Sequence, residues 1–314
     1  MHPPRGLPLR ISVCYHERAV SVTRKNFLQT TALRQSAVVF SQVFKMGDTH
    51  KHYLASNQEE NIHYWTPRAA GYTRVNQEEL ATGQKQVWSR VLSRRIAARF
   101  PERNPEGIRV LDVGTGPGFF AIILAGMGYD VTAVDYTASM LEEARRNAGA
   151  LADRINFRQM NAEELLFADH SFDVLVTRNV TWNLHNPEKA YGHWTRVLAP
   201  GGLLLNFDAN WYRYLWDEKA NLGHKQDREN LAVSDVRDEN AGTDVDAMEA
   251  IARQTPLSMR ARPAWDLKTL SGLGIQASAD EEIWRQVWTR EERINNASTP
   301  MFLVEGWKAK LMES

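Results

Sequence analysis

Residues 110–128 read VLDVGTGPGFFAIILAGMG: an apolar strand carrying Asp112, a tight turn holding Gly114, Gly116 and Gly118, and then a helix. Glycines at such a turn permit positive φ and let a ligand approach the backbone, while the helix amino terminus offers free N–H groups. The spacing decides what can sit there. A dinucleotide's pyrophosphate calls for G-x-G-x-x-G, whose third glycine would fall at 119, where this chain has Phe119. The spacing here is G-x-G-x-G. Asp112, two residues before the first glycine, would add negative charge beside an anionic pyrophosphate, and suits instead a ligand bearing an ammonium group.

Strand-like and helix-like patterns alternate after this turn, as a parallel sheet built from β-α-β units requires. Strands are expected at 109–114, 130–135, 155–159, 172–177, 203–208, 275–283 and 301–308, with helices at about 118–127, 138–148, 187–198 and 264–273. The expected fold is therefore α/β: a doubly wound, mostly parallel seven-stranded sheet with helices on both faces. Ahead of it, residues 58–100 read helical, with Val87, Trp88, Val91, Leu92 and Ile96 at helical spacing, and Pro101 with the Asn104-Pro105-Glu106-Gly107 turn ends the run. After the fifth strand, the 55 residues 209–263 are too many for a bare connection and predict a partly helical insertion over the sheet's carboxyl edge. Five segments result: a disordered leader (1–45), a helical cap (46–105), a ligand-binding core (106–208), a substrate-side insertion (209–263) and a completion of the sheet (264–314).

Charge narrows the partners. The 38 Lys and Arg cancel the 38 Asp and Glu, which argues against an electrostatic grip on nucleic acid or anionic membrane. That balance is uneven: residues 1–45 hold seven bases and one acid, so the remainder carries 31 bases against 37 acids. The leader reads as a targeting peptide, a disordered arm or translation from upstream of Met46. If Met46 is the working start, a mildly acidic cytoplasmic protein is expected. The single cysteine, Cys14, excludes an intramolecular disulfide, and no apolar run approaches the ~18–20 residues of a membrane span.

The second strand ends at Asp135, seventeen residues past Gly118, where an acid can accept hydrogen bonds from both ribose hydroxyls. Asn161-Ala162-Glu163, after the third strand, can hold an adenine edge. An acid, a glycine turn, a second acid and a polar loop together describe a nucleoside with a cationic amino-acid tail. On these residues, with SFDVLVTRNV (171–180) and LAPGGLLLNFD (198–208), the chain resembles the class I S-adenosylmethionine-dependent methyltransferases of the small-molecule kind. The resemblance covers about 60–210 and resumes at 264–309. It implies S-adenosylmethionine as cofactor, with Gly114, Thr115, Gly116 and Gly118 near the methionyl part, Asp112 positioning it and Tyr136 packing by the adenosine. It implies that Arg178 and Asn179 edge the methionyl tail, and that a helix before the first strand lies over the cofactor. Tyr64, Trp65 and Tyr72 are candidates for that lid or for ordinary helix packing.

The sulfonium is already an activated electrophile, so the protein need only align a nucleophile in line with the S–CH₃ bond and exclude water, an effect of ~7–11 kcal/mol. The acceptor pocket is expected where the fourth and fifth strands end. His185 and Asp208 are its candidate bases, and Trp65, Trp182, Trp211 and Tyr212 its candidate walls, against helix capping or plain packing for the same residues. Arg178-Asn179-Val180-Thr181-Trp182 lacks the Pro-Pro-aromatic signature of amino-methylating nucleic-acid enzymes, and Thr177-Arg178 lacks the acid of a metal-dependent catechol enzyme. A small-molecule acceptor with N, S or O as nucleophile is expected, without metal, nucleic acid or membrane as partner. A non-catalytic nucleoside-binding regulator and, less favoured, a nicotinamide oxidoreductase are the alternatives.

Overall fold

The computed structural model describes residues 64–69 and 71–310, so the expectations for 1–63 lie outside the described residues. Seven strands, β1 (Arg109–Val113), β2 (Asp130–Asp135), β3 (Ile155–Gln159), β4 (Phe172–Arg178), β5 (Leu198–Asp208), β6 (Ile275–Asp280) and β7 (Phe302–Lys308), form one sheet in the order β3-β2-β1-β4-β5-β7-β6. The first five run parallel. β7 runs antiparallel to both its neighbours. The central strands are near-continuous apolar runs because both their faces are covered. The expected class and topology are those observed.

The two cores follow from residue parity. Val110, Val174, Val176, Leu203 and Leu205 face the helices Gly83–Arg99, Phe119–Gly126 and Ala138–Ala148. Leu111, Val113, Leu175 and Leu204 face Pro187–Val197 and Ala264–Gly272. The helix Phe119–Gly126 buries seven of its eight residues, so it is held by packing rather than by a polar face. Trp88, Leu92 and Ile96 lie on one stripe of Gly83–Arg99 and are essentially fully buried, each such side chain stabilising the fold by about 1.5–3 kcal/mol.

Two strand boundaries differ from expectation by more than one residue, each for a local reason. β5 starts at Leu198 rather than 203, because Leu198 already pairs with Phe172 before a bulge brings Leu203 opposite Val174. Gly202 is required in that bulge: a Cβ there would lie 2.8 Å from the Ala199 carbonyl oxygen and 3.1 Å from that of Asp173. β6 ends at Asp280, whose carboxylate takes the Glu282 N–H at 3.1 Å and turns the chain. Two short helices then follow, Trp284–Val287 and Arg290–Asn295, the second opened by a reciprocal Thr289/Glu292 capping box. The insertion is helical at Glu218–Ala232 and Val245–Ala252, each started by an aspartate, Asp217 and Asp244, that accepts a backbone N–H at 2.9 Å.

Strand order reverses between β1 and β4, which opens a crevice beyond their carboxyl ends, where ligands bind in open α/β sheets. Asp135, Arg178 and Asp208 stand at the carboxyl ends of β2, β4 and β5, and the glycine turn follows β1. At the opposite end, Asp173 ties β4 to β1 through the Arg109 N–H (2.9 Å), the Arg109 guanidinium and Arg103. Burial pulls this carboxyl upward, but those bonds overcome it and hold the pKa at about 2.

Candidate nucleoside and acceptor site

All three glycines of the first turn have positive φ, +68°, +52° and +95°, yet they face different things. A Cβ on Gly114 would strike Val180 at 2.4 Å, and one on Gly118 would press on Ala144 at 3.1 Å. A Cβ on Gly116 would meet nothing within 4 Å. Gly114 and Gly118 are thus needed for packing, while Gly116 leaves backbone bare toward open space. That is the fit a ligand lying on the turn requires. Thr115 Oγ1 donates to Asp112 Oδ2 at 2.7 Å, and the Ala121 N–H donates to the same oxygen at 3.0 Å. Asp112, 2% exposed, therefore braces the turn against its helix, and burial raises its pKa to about 7.

Asp135 stands at the end of β2, one oxygen accepting the Gly116 N–H and the other the Thr137 N–H, both at 2.9 Å. These bonds fix its direction at the lip of the crevice, and burial raises its pKa. Tyr136 follows, half-buried, its carbonyl accepting from Gln159 Nε2 at 3.0 Å. Asn161 Oδ1 accepts the Glu163 N–H at 2.8 Å, and the Ala162 carbonyl accepts Trp194 Nε1 at 2.8 Å. Glu163 is buried, and its Oε1 takes the N–H groups of both His185 (2.7 Å) and Asn186 (3.0 Å). Its carboxylate closes the start of the helix Pro187–Val197 and ties the loop to it. The same carboxylate holds the backbone of His185, one of the two candidate bases, against this loop.

At the end of β4, Arg178 lies over the rings of Trp88 (5.0 Å) and Phe119 (4.9 Å) and bonds Glu79 at 2.6 Å. Glu79 belongs to the helical segment 71–81, which crosses the crevice. There Gln77 bonds Asn147 at 2.9 Å, and Asn147 in turn donates to the Pro117 carbonyl of the glycine turn at 3.0 Å. The segment before β1 is thus laid over the cradle, in the place the resemblance gives a lid. Asn179 takes φ +58°, a left-handed conformation that turns the chain out of β4, and its carbonyl accepts Trp182 Nε1 at 3.0 Å.

Beyond Asn179 the candidate wall residues meet. Tyr64, Trp182, Met248, Ile251 and Ala252 form a small core of their own, packed by Trp65, Trp211, Tyr212 and Leu215. The Trp182 and Tyr212 rings lie 4.9 Å apart, and Trp65 stands edge-on to Tyr64 (5.2 Å) and Tyr72 (5.3 Å). Sequence reasoning named these aromatics, and the structure brings them together. It also shows that the insertion helix Val245–Ala252 is the element that joins them.

Asp208, the second candidate base, is fully buried and has no oxygen to spare. Oδ1 accepts the Ala209 N–H (2.9 Å) and Trp211 Nε1 (3.0 Å), and Oδ2 accepts the Trp182 N–H (3.0 Å) and the Arg262 guanidinium (2.6 Å). Arg262 also pairs with Asp266, which accepts the Tyr191 hydroxyl at 2.6 Å, and Tyr191 receives Asn206 Nδ2 at 2.9 Å. The geometry makes Asp208 an anchor for two tryptophans rather than a proton carrier. Arg262, Asp266, Tyr191 and Asn206 were not singled out from sequence. The one signal was Asn206, a lone amide inside the apolar run LLLNFD.

Crevice, open middle glycine and paired acids define a Rossmann-like domain fitted to a nucleoside with an amino-acid tail. Comparison agrees. Residues 111–206 match a family described as methyltransferase domain. The demethylmenaquinone methyltransferase of Clavibacter sepedonicus is 33% identical over 137 residues, 44% of this chain and 53% of that protein. The ubiquinone/menaquinone biosynthesis C-methyltransferase UbiE of Haemophilus ducreyi is 36% identical over 184 residues, 56% of this chain and 66% of that protein. A solved carbon methyltransferase, CurJ, shares the fold at 17% identity, with a TM-score of 0.51 over 77% of this chain and 59% of that one. The chain thus carries a methyltransferase domain of the class I S-adenosylmethionine-dependent kind, whose cofactor is S-adenosylmethionine. It spans about half the length of the first curated relatives it matches.

Proposed function

We propose that the protein transfers a methyl group from S-adenosylmethionine to a small aromatic acceptor of the quinol kind, at a ring carbon or a ring hydroxyl oxygen. The observation that carries the cofactor half is the bare Gly116 backbone between Asp112 and Asp135. Asp135 would hold the ribose hydroxyls, Asn161 and Ala162 the adenine side, and Tyr136 the face of the base. The glycine turn, Arg178 and Asn179 would edge the methionyl tail, with Asp112 as the nearest buried negative charge. The acceptor half rests on the aromatic cluster at the strand ends and on the relatives, whose names are those of C- and O-methyltransferases of quinone biosynthesis.

The bound cofactor supplies a methyl group on a positively charged sulfur, already poised for displacement. The residues need do two things. The aromatic cluster excludes water and stacks a flat acceptor, and the helical segment 71–81 closes the methionyl side through Glu79 and Arg178. The acceptor gives up one proton for the methyl it gains. With Asp208 fully engaged, that proton leaves by ionisation of the acceptor's own hydroxyl, with His185 as the remaining candidate base.

The test combines calorimetry and transfer. Titration with S-adenosylhomocysteine and NADH should show binding of the first only. Labelled S-adenosylmethionine with 2-prenyl-1,4-naphthoquinol should then yield labelled product. Binding of NADH without the sulfonium nucleoside or its product would overturn the assignment.

A further inference from the structure

Two phenols in the crevice are unused by everything described so far. Tyr72 lies on the helical segment 71–81 and Tyr212 at the root of the insertion, and among the described residues neither hydroxyl has a hydrogen-bond partner. In the same region the Tyr64 hydroxyl donates to the Asp244 carbonyl and accepts from Arg68, and the Tyr214 hydroxyl donates to Glu249.

Their rings are fixed by neighbours that also fix each other. Tyr72 stands edge-on to Trp65, Trp65 to Tyr64, and Tyr64 shares a packed core with Trp182, on whose ring Tyr212 lies. Tyr72 is 38% exposed, and burial of its ring among these aromatics raises its pKa. Burial raises the Tyr212 phenol well above its ordinary value, with a smaller contribution from the Tyr72 phenol. Both remain neutral donors at working pH. The Arg68 guanidinium sits over Tyr64, Trp65 and Tyr72 at 4.9, 5.8 and 5.7 Å, with no carboxylate partner among the described residues.

We propose that Tyr72 and Tyr212 form the acceptor-oxygen subsite: their hydroxyls together hold the phenolic oxygen of an aromatic acceptor, with the Arg68 charge favouring its ionised form. The resemblance would give Tyr72 to the cofactor lid, whereas this arrangement gives it to the substrate. Two neutral donors and one cation suit an aryl oxygen as it gains negative charge, the state in which the neighbouring ring carbon or the oxygen itself is most nucleophilic. The subsite does not suit an ammonium or an alkyl chain, since neither offers an oxygen to these donors. The inference rests on the quinol-type reading above and specifies which atoms it uses.

The test separates the two claims. Wild type, Tyr72→Phe and Tyr212→Phe are titrated with S-adenosylhomocysteine, and each saturated complex is then titrated with 1-naphthol and with naphthalene. Each Phe variant should bind 1-naphthol about 2- to 10-fold more weakly, the loss of one neutral hydrogen bond, while its affinity for naphthalene and S-adenosylhomocysteine stays at the wild-type level. Arg68→Gln should weaken 1-naphthol binding more at a pH where naphthol is ionised than where it is neutral. Failure of 1-naphthol to bind the wild-type complex, or equal affinity in wild type and both Phe variants, overturns the subsite. Failure of S-adenosylhomocysteine to bind overturns the methyltransferase reading instead, so the two results cannot be confused.

Discussion

At the scale of single residues, the glycine turn separates roles that sequence alone merges. Gly116→Ala places a methyl group in open space at φ +52°, so it should strain the turn by about 1–2 kcal/mol and obstruct the ligand face. The expected result is a folded protein with at least tenfold weaker S-adenosylhomocysteine binding. Gly114→Ala drives a Cβ to within 2.4 Å of Val180, so it should lower the melting temperature more than Gly116→Ala does. Equal melting temperatures for the two variants would show that Gly114 is not packed as described. Asp135→Ala removes the acid proposed to hold the ribose and should weaken the nucleoside at least tenfold, with little loss of fold.

Asp112 adds a pH dependence. Its folded-state pKa, raised by burial to about 7, lies above its unfolded value, so the folded state binds the extra proton. The stability this gives is fully present below about pH 4 and is lost as pH rises through about 7. Asp112→Asn keeps an oxygen for Thr115 and Ala121 but cannot ionise. Its melting temperature should therefore fall less than that of wild type between pH 5 and 8. If an ammonium-bearing tail lies beside the carboxylate, S-adenosylhomocysteine affinity should rise through pH 7 in wild type and stay flat in the variant. Parallel profiles would show that Asp112 keeps its charge throughout.

At the scale of elements, legibility followed locality. The strands β1, β2 and β4 were readable because each apolar run is buried on both faces, and the helix Phe119–Gly126 because glycines mark the turns at both its ends. Asp135 was readable because its role depends only on its place at a strand end. The helices Trp284–Val287 and Arg290–Asn295 were hidden, since the first is a single turn and the second is marked only by its Thr289/Glu292 capping box. The function of that second helix is non-local. Glu292, already bonded to Gln84 at 3.2 Å, lies 4.0 Å from Arg178, so three distant stretches of chain converge on one guanidinium. Glu79→Gln should loosen the helical segment 71–81 from β4. Hydrogen exchange along 71–81 is expected to speed up in the ligand-free protein while exchange in β1 and β4 stays unchanged, and unaltered exchange along 71–81 would show that Arg178 does not hold it.

At the scale of the whole molecule, one buried ionic network joins the insertion to the sheet. Asp208 ends β5, Arg262 ends the insertion, and Asp266 and Tyr191 lie on the two helices covering the second face, so a single guanidinium joins β5 to the helix Ala264–Gly272 and, through Asp266, to Tyr191. Sequence could place the insertion but not its anchor, because a Pro-flanked arginine 54 residues from its partner has no periodic signature. Every charge in the network is essentially fully buried, so removing one partner leaves the others uncompensated, at about 3–5 kcal/mol, whereas a conservative change need not. Arg262→Met should lower stability by that amount in denaturant unfolding. Because Asp208 holds the Trp182 backbone and the Trp211 indole, the same variant should displace the acceptor wall before it reaches the nucleoside cradle. At a temperature where it remains folded, Arg262→Met is thus expected to keep near-normal S-adenosylhomocysteine affinity and lose binding of 1-naphthol. Loss of both in equal measure would mean that the network supports the fold as a whole, and that the acceptor wall has no anchor separate from it.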